Sequence, residues 1–371
     1  MKIPSCKNLV LCAPEKQEWK VIGSQQKVII KIVMKYTFIN SARGIAIIMV
    51  IIVHISQLYH FKNSILKLFF DYGQMGVQLF FIASAYTLCL SAEKRKDDLF
   101  PISSFYIRRF FRIFPIYYLG IIIYFFLNLY FKDISKYSTF NIFANLSFTH
   151  GMIPSANNTI VPGGWSIGTE MLFYLFFPFL YKFMLRGNMI IKAMIMIVVC
   201  YLIVIIYEAD VKNNSFAYFN IILQMPVFLT GILYYKYEKK INLLNAIILF
   251  CIFTFISLYL WKIEKFLFIP FISGLSFCGL IKILEKSFLN LILFQKLGII
   301  SYSLYITHFI LAFYLLQPVS SLVEMCFYIL ITISTCYPLS LFLEKKLELP
   351  FIRLGNKIIN LRIGVLKRTE R

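Results

Sequence analysis

Charge is scarce in this chain, and acidic charge is scarcer than basic. Of 371 residues only 15% are charged, with 17 Asp and Glu against 38 Lys and Arg. Soluble domains usually carry about 25% charged residues, so a water-exposed globule is excluded. Paired cysteine motifs are missing too. The eight cysteines (Cys6, Cys12, Cys89, Cys200, Cys251, Cys278, Cys326 and Cys336) form no close CxxC pair, and six lie in apolar stretches. That spacing describes small core residues, not a disulfide frame or a zinc site. Histidine is limited to His54, His60, His150 and His308, with no HExxH, so no metal is expected. No internal repeat or low-complexity linker marks a second domain. The segment after the last apolar run, about 28 residues, is too short for an added catalytic domain. Any chemistry is expected within the apolar part of the chain.

What is present is apolar length. Hydrophobic residues make up 60% of the chain, aromatic residues 18%, and the mean hydropathy is +0.76. Ten stretches are each about long enough to cross a bilayer core as a helix. They cover residues 40–59, 72–91, 113–131, 165–184, 189–207, 217–235, 243–261, 266–283, 298–317 and 322–343. The expected fold is an all-α polytopic membrane protein with about ten transmembrane helices. With the N-terminus inside, the outer loops hold only Lys62, Lys67, Lys132, Lys136, Lys212, Lys262 and Lys265, seven of the 38 Lys and Arg. Inner loops hold clusters such as Lys94-Arg95-Lys96 and Arg108-Arg109-Arg112. This positive-inside bias places both termini in the cytoplasm. It also explains the net charge of +21 without nucleic acid. Three regions follow: a polar basic extension at 1–33, a transmembrane domain at 34–354 and a basic cytoplasmic tail at 355–371. The extension lacks the apolar centre of a signal peptide. Translation from Met34 is preferred over a cytoplasmic tail.

Five groups of residues have the right types for chemistry. Arg43 and His54 are eleven residues apart, which is three helical turns plus about 20° and a rise of about 16 Å. They share one helix face, and ionisable groups in hydrocarbon are rarely placed there without a task. His54 could take and return a proton near neutrality, or simply hydrogen-bond a neighbouring helix. Arg109 and Arg112, at i and i+3, could clamp phosphates bidentately. Their bland reading is a positive-inside cluster on anionic headgroups. Ser166 and Glu170 share a face just beyond the interface residue Trp165. A carboxylate at that depth could orient a histidine, bind a hydroxyl or pair with an arginine. Ser301, Tyr305 and His308 form one polar stripe at i, i+4 and i+7, which lines a cavity or glues helices together. Glu344 and Glu348 lie beside Lys345 and Lys346 as ordinary ion pairs would, and Pro350 reads as a helix end.

In this order the groups resemble the membrane-bound acyltransferase 3 family, the O-acetyltransferases of bacterial surface sugars. Arg43 and His54 match its arginine, ten residues, histidine signature. Phe105 through Pro115 match FxxRRxxRIxP. Trp165, Ser166, Glu170, Phe173, Tyr174 and Pro178 match WSLxxExxFYxxxP. Leu297 through His308 match LGxxSYSLYxxH, and Glu348 with Pro350 match the closing ExP. One departure falls in FFxxSGY, where Phe80-Phe81-Ile82-Ala83-Ser84-Ala85-Tyr86 has alanine for glycine. That costs backbone closeness but no chemical group. The resemblance spans Met34 to Leu354.

The resemblance implies acyl transfer, usually of acetyl, from acetyl-CoA or another acyl-CoA to a sugar hydroxyl. The acceptor would be a lipid-linked or surface polysaccharide such as O-antigen or capsule. His54 would be the catalytic base, with Arg43 and Glu170 completing the catalytic set. Arg109 and Arg112 would bind the coenzyme's phosphates. Ser166, Ser301, Tyr305, His308 and Glu348 would serve acceptor binding or proton relay. The protein would be multi-pass in the bacterial inner membrane, with the lipid bilayer as a partner and no nucleic acid. Some relatives carry a fused esterase-like domain that finishes the transfer. No such domain is read here, so this chain completes the reaction alone or hands the acyl group to a separate extracytoplasmic transferase. The rival class is a flippase or transporter of lipid-linked sugars. A polymerase would need a larger outer loop than 132–164.

Overall fold

A chain with lipid around it must satisfy its backbone polar groups internally, and the apolar stretches here do so as helices. The computed structural model describes residues 36–131 and 134–369, with side chains as far as Ile363. The extension 1–33, Met34 and Lys132 lie outside the described residues. Each expected stretch falls on a helix. In chain order these are α1 (Thr37–Ser56), α2 (Ser64–Lys94, with a 3-10 turn at Tyr72–Met75) and α3 (Pro101–Phe131). Then come α4 (Thr139–Leu146), α5 (Gly164–Met184), α6 (Met189–Tyr207), α7 (Phe216–Lys240) and α8 (Leu243–Lys262). The chain ends with α9 (Ile269–Lys286), α10 (Ile292–Ile299), α11 (Ser301–Leu315), α12 (Leu322–Leu343) and α13 (Leu349–Thr369). Among the described residues no strand forms.

Seven helices are long and apolar enough to cross a membrane, or eight when α10 and α11, bent by 76°, count as one span. Helix α5 misses the mark because polar residues fill its first turns, and α9 because it ends in Lys282, Glu285 and Lys286. Helices α1, α2 and α7 are mostly buried, whereas α6 and α8 bury little. Helix α6 turns Met194, Ile195, Val198, Leu202 and Ile206 outward. Such a surface suits lipid, not water.

Lipid is as apolar as a leucine, so helices associate in it through close packing and hydrogen bonds. The closest approach lies beside Arg43. A Cβ added to Gly298 would stand 1.8 Å from the Asn40 carbonyl oxygen, and one on Gly44 2.0 Å from that of Phe294. Helices α1 and α10 therefore touch backbone to backbone. Ala85, at the departure from the motif glycine, faces Gly231 of α7, where an added Cβ would lie 2.7 Å from the Ala85 Cβ. The closeness lost on α2 is recovered from α7.

Two helix limits differ from expectation. Helix α3 starts at Pro101, not near 113, so Arg108, Arg109 and Arg112 ride on the helix itself. Pro115 lies in its interior and removes one backbone bond, which neighbouring groups in a bundle can offset. Near that point the Tyr302 hydroxyl donates to the Ile113 carbonyl at 2.8 Å. The helix end expected at Pro350 is absent. A π turn over Glu344–Glu348 carries α12 into α13, with the Leu349 N–H reaching back to the Glu344 carbonyl. Pro350 then falls at the second residue of the new segment, where a missing donor is tolerated.

Candidate active site

Five helices converge on a first cavity. Arg43 comes from α1, Ser84 from α2, Arg109 and Arg112 from α3, Ser166 and Glu170 from α5, and Ser301 and Tyr305 from α11. Arg43 Nη2 donates to Thr87 Oγ1 at 3.1 Å, and the Thr87 hydroxyl donates to the Ser84 carbonyl at 3.0 Å. The Arg109 guanidinium lies 5.6 Å from the ring centres of both Phe105 and Tyr174. Its Nε is buried without a hydrogen-bond partner. The three arginines are within electrostatic reach of one another. Among the described residues none of them forms an ion pair with a carboxylate. Gathered cations repel and are costly to desolvate, an arrangement suited to receiving a polyanion.

Glu170 is held by two hydroxyls of the bundle. Ser84 Oγ and the Tyr174 hydroxyl both donate to Glu170 Oε1, each at 2.5 Å. Tyr174 follows Glu170 by one helical turn, a spacing visible in sequence. Ser84 is 86 residues away, and only the fold reveals it.

A second cavity holds His54 on the last turn of α1. Its wall mixes amides and hydroxyls (Gln57, Gln74, Asn128, Asn158 and Thr159) with the rings of Trp165, Phe219 and Phe309. Val77 and Tyr305 line both cavities. Arg43 and His54 share a helix face as expected, yet each opens into a different chamber. Between them, Ser166 Oγ donates to the Tyr305 hydroxyl at 2.8 Å, and Tyr305 donates to the Gly163 carbonyl at 3.0 Å.

The α11 stripe divides along its length. Ser301 faces the arginine cavity, its hydroxyl donating to the Gly298 carbonyl at 2.9 Å. Tyr305 faces both chambers. His308 lines neither; it is fully buried behind His54, with ring centres 5.5 Å apart. Glu348 also lines neither cavity. It is buried, with Oε2 unpartnered, in electrostatic reach of Arg112 and Arg43.

Sequence reasoning passed over His150. This residue is buried under the first turn of α5, where Nε2 donates to the Gly164 carbonyl at 3.0 Å. The Tyr117 hydroxyl beside it donates to Asn145 Oδ1 at 2.7 Å. Burial pushes the His150 imidazole down to about 4, against the opposing pull of the Gly164 carbonyl. These contacts pin the connection that forms one wall of the His54 cavity. A lone histidine in a polar stretch carries no spacing signal that could have shown this.

Three arginines, a carboxylate held by two hydroxyls and a histidine thus lie inside one apolar bundle. A family model described as an acyltransferase domain matches residues 36–341. The chain belongs to the acyltransferase 3 family and is a membrane acyltransferase. No curated protein and no solved structure matches it.

Proposed function

We propose that the protein moves an acyl group, most simply acetyl, from acyl-CoA to a hydroxyl of a cell-surface sugar. The supporting observation is the pair of chambers that share Val77 and Tyr305 in their walls, with arginines in one and His54 in the other. The coenzyme's phosphates bind Arg109 and Arg112, with Arg43 in the same chamber. The rise of about 16 Å from Arg43 to His54 suits an extended pantetheine arm passing Tyr305. The sugar occupies the His54 chamber, whose mixture of amides and aromatic faces suits a carbohydrate. His54 takes the proton of the acceptor hydroxyl, and the oxygen bonds to the acyl carbon. The carbon–sulfur bond then breaks, and the leaving thiolate recovers the proton.

In this reading the ten helical stretches cross a bacterial inner membrane, both termini face the cytoplasm, and the arginine chamber opens where acyl-CoA is made. The acceptor is a lipid-linked or surface polysaccharide such as O-antigen or capsule. Because the His54 chamber already suits a sugar, the transfer needs no separate extracytoplasmic transferase. The flippase alternative draws no support from either chamber.

The test is the O-acetyl content of surface polysaccharide, read by NMR in a deletion strain. The strain is complemented with wild type or His54→Ala at matched membrane levels. Acetyl signal is expected with wild type and none with the variant. Equal acetylation in both removes His54 from catalysis. An unchanged acetyl signal on deletion, with sugar export altered, rejects the transferase reading.

A further inference from the structure

Two nitrogens near the His54 chamber are left over by every contact described so far. His54 Nδ1 and His308 Nε2 are both sealed from solvent, and both lack a hydrogen-bond partner. Their rings are 5.5 Å apart, centre to centre, with 37° between planes. Phe309 closes over both, 4.6 Å from the His54 ring and 3.9 Å from the His308 ring. An orphaned nitrogen in such apolar surroundings is costly.

One contact fixes the hydrogen on His308. Its Nδ1 lies 3.1 Å from the Leu304 carbonyl oxygen. A carbonyl only accepts, so Nδ1 carries the hydrogen, and in the neutral ring Nε2 is a bare lone pair. Only one tautomer of His54 complements that lone pair, the one with hydrogen on Nδ1. The other would set two lone pairs against each other.

We infer that His308 is a positioning residue, accepting a hydrogen bond from His54 Nδ1 and leaving His54 Nε2 bare as the base facing the acceptor chamber. Ring centres at 5.5 Å leave facing atoms close to hydrogen-bonding range, and such bonds commonly tighten in the substrate complex. During transfer, Nε2 receives the hydroxyl proton and later returns it to the thiolate. His308 keeps its own proton throughout. It holds the ring and shares the charge of the imidazolium. A carboxylate does this in the serine-protease triad. A neutral imidazole does it here at lower desolvation cost inside a membrane.

The inference rests on His54 being the base, so its test includes a measurement that needs no turnover. The chain has only four histidines, which makes carbon-13 and nitrogen-15 labelling of histidine in the full-length protein in lipid tractable. His54→Ala identifies the His54 ring signals. The expected result is a neutral His54 with hydrogen on Nδ1, changing tautomer in His308→Leu. Hydrogen on Nε2 in wild type, unchanged in His308→Leu, overturns the inference. In acyl-CoA-dependent transfer, His308→Leu should lower kcat by about 10- to 100-fold, with KM for acyl-CoA unchanged. His308→Gln, whose side-chain oxygen can accept the same bond, should restore most of it. Equal loss in both variants reduces His308 to packing and also overturns the inference. Full activity in His54→Ala rejects the proposed base instead, while the tautomer measurement still decides the pairing.

Discussion

Replacing Gly298 by alanine puts a carbon 1.8 Å from the Asn40 carbonyl oxygen. Contacts of this kind settle at about 3.3 Å. The obstacle is backbone, with no flexible side chain to swing away, so α1 and α10 must part by roughly 1.5 Å to reach that separation. Overpacking that shifts a backbone costs about 1–3 kcal/mol, so the variant should fold with a lowered Tm. Function should suffer more. Asn40 precedes Arg43 by less than one turn of α1, and Arg43 moves with it. A misplacement of about 1 Å can cost about 100-fold in rate, and we expect a loss of that order in kcat/KM for acyl-CoA. Gly44→Ala meets the Phe294 carbonyl oxygen at 2.0 Å across the same crossing. Once one methyl has parted the helices, the second meets less resistance, so the double variant should resemble the worse single variant. The assay is transfer by purified protein in proteoliposomes, alongside thermal unfolding. Unchanged kcat/KM and Tm in Gly298→Ala would refute the argument from backbone contact.

Arg109→Lys and Arg112→Lys keep the charge but lose the planar fork, and each should raise KM for acyl-CoA about 10-fold with little change in kcat; steady-state kinetics that show the reverse split contradict phosphate binding. Tyr174→Phe removes one of two hydroxyls from the half-buried Glu170 carboxylate. It should cost about 1.5–3 kcal/mol of stability, and chemical unfolding of the variant with no shift in midpoint speaks against that bond. For His150, burial holds the folded imidazole down to about 4, below its ordinary 6.5. Between those values the unfolded chain binds a proton that the folded chain refuses. Stability is full above pH 6.5 and falls as pH drops toward 4, by up to about 3 kcal/mol. Unfolding midpoints in detergent should show this slope in wild type and a flatter one in His150→Gln.

The helices were legible because apolar runs long enough for a bilayer have few other conformations open to them. Their limits were less so. Pro115 and Pro350 read as boundaries on local grounds, yet Pro115 sits inside a continuous helix and a π turn carries the last helix past Pro350's position. Neighbours around a cavity were legible where they share one helix, as Ser166 and Glu170 do. They were illegible across helices. No spacing rule links Ser84 to Glu170, or shows that His308 stands behind His54 while Ser301 faces the arginines. Those relations depend on which helices are neighbours, and glycines such as Gly44, Gly231 and Gly298 decide that by how close they let backbones come.

The 76° bend before α11 has an electrical consequence. It starts a new helix at Ser301, on the wall of the arginine chamber, and sends it away toward Leu315. Aligned peptide dipoles leave about half a positive charge at such a beginning and the opposite at the far end. Part of the chamber's pull on anions is therefore written in peptide bonds, beyond the reach of any side-chain substitution or any change of pH. The break in the helix thus adds a fixed positive pole to the wall that the arginines share.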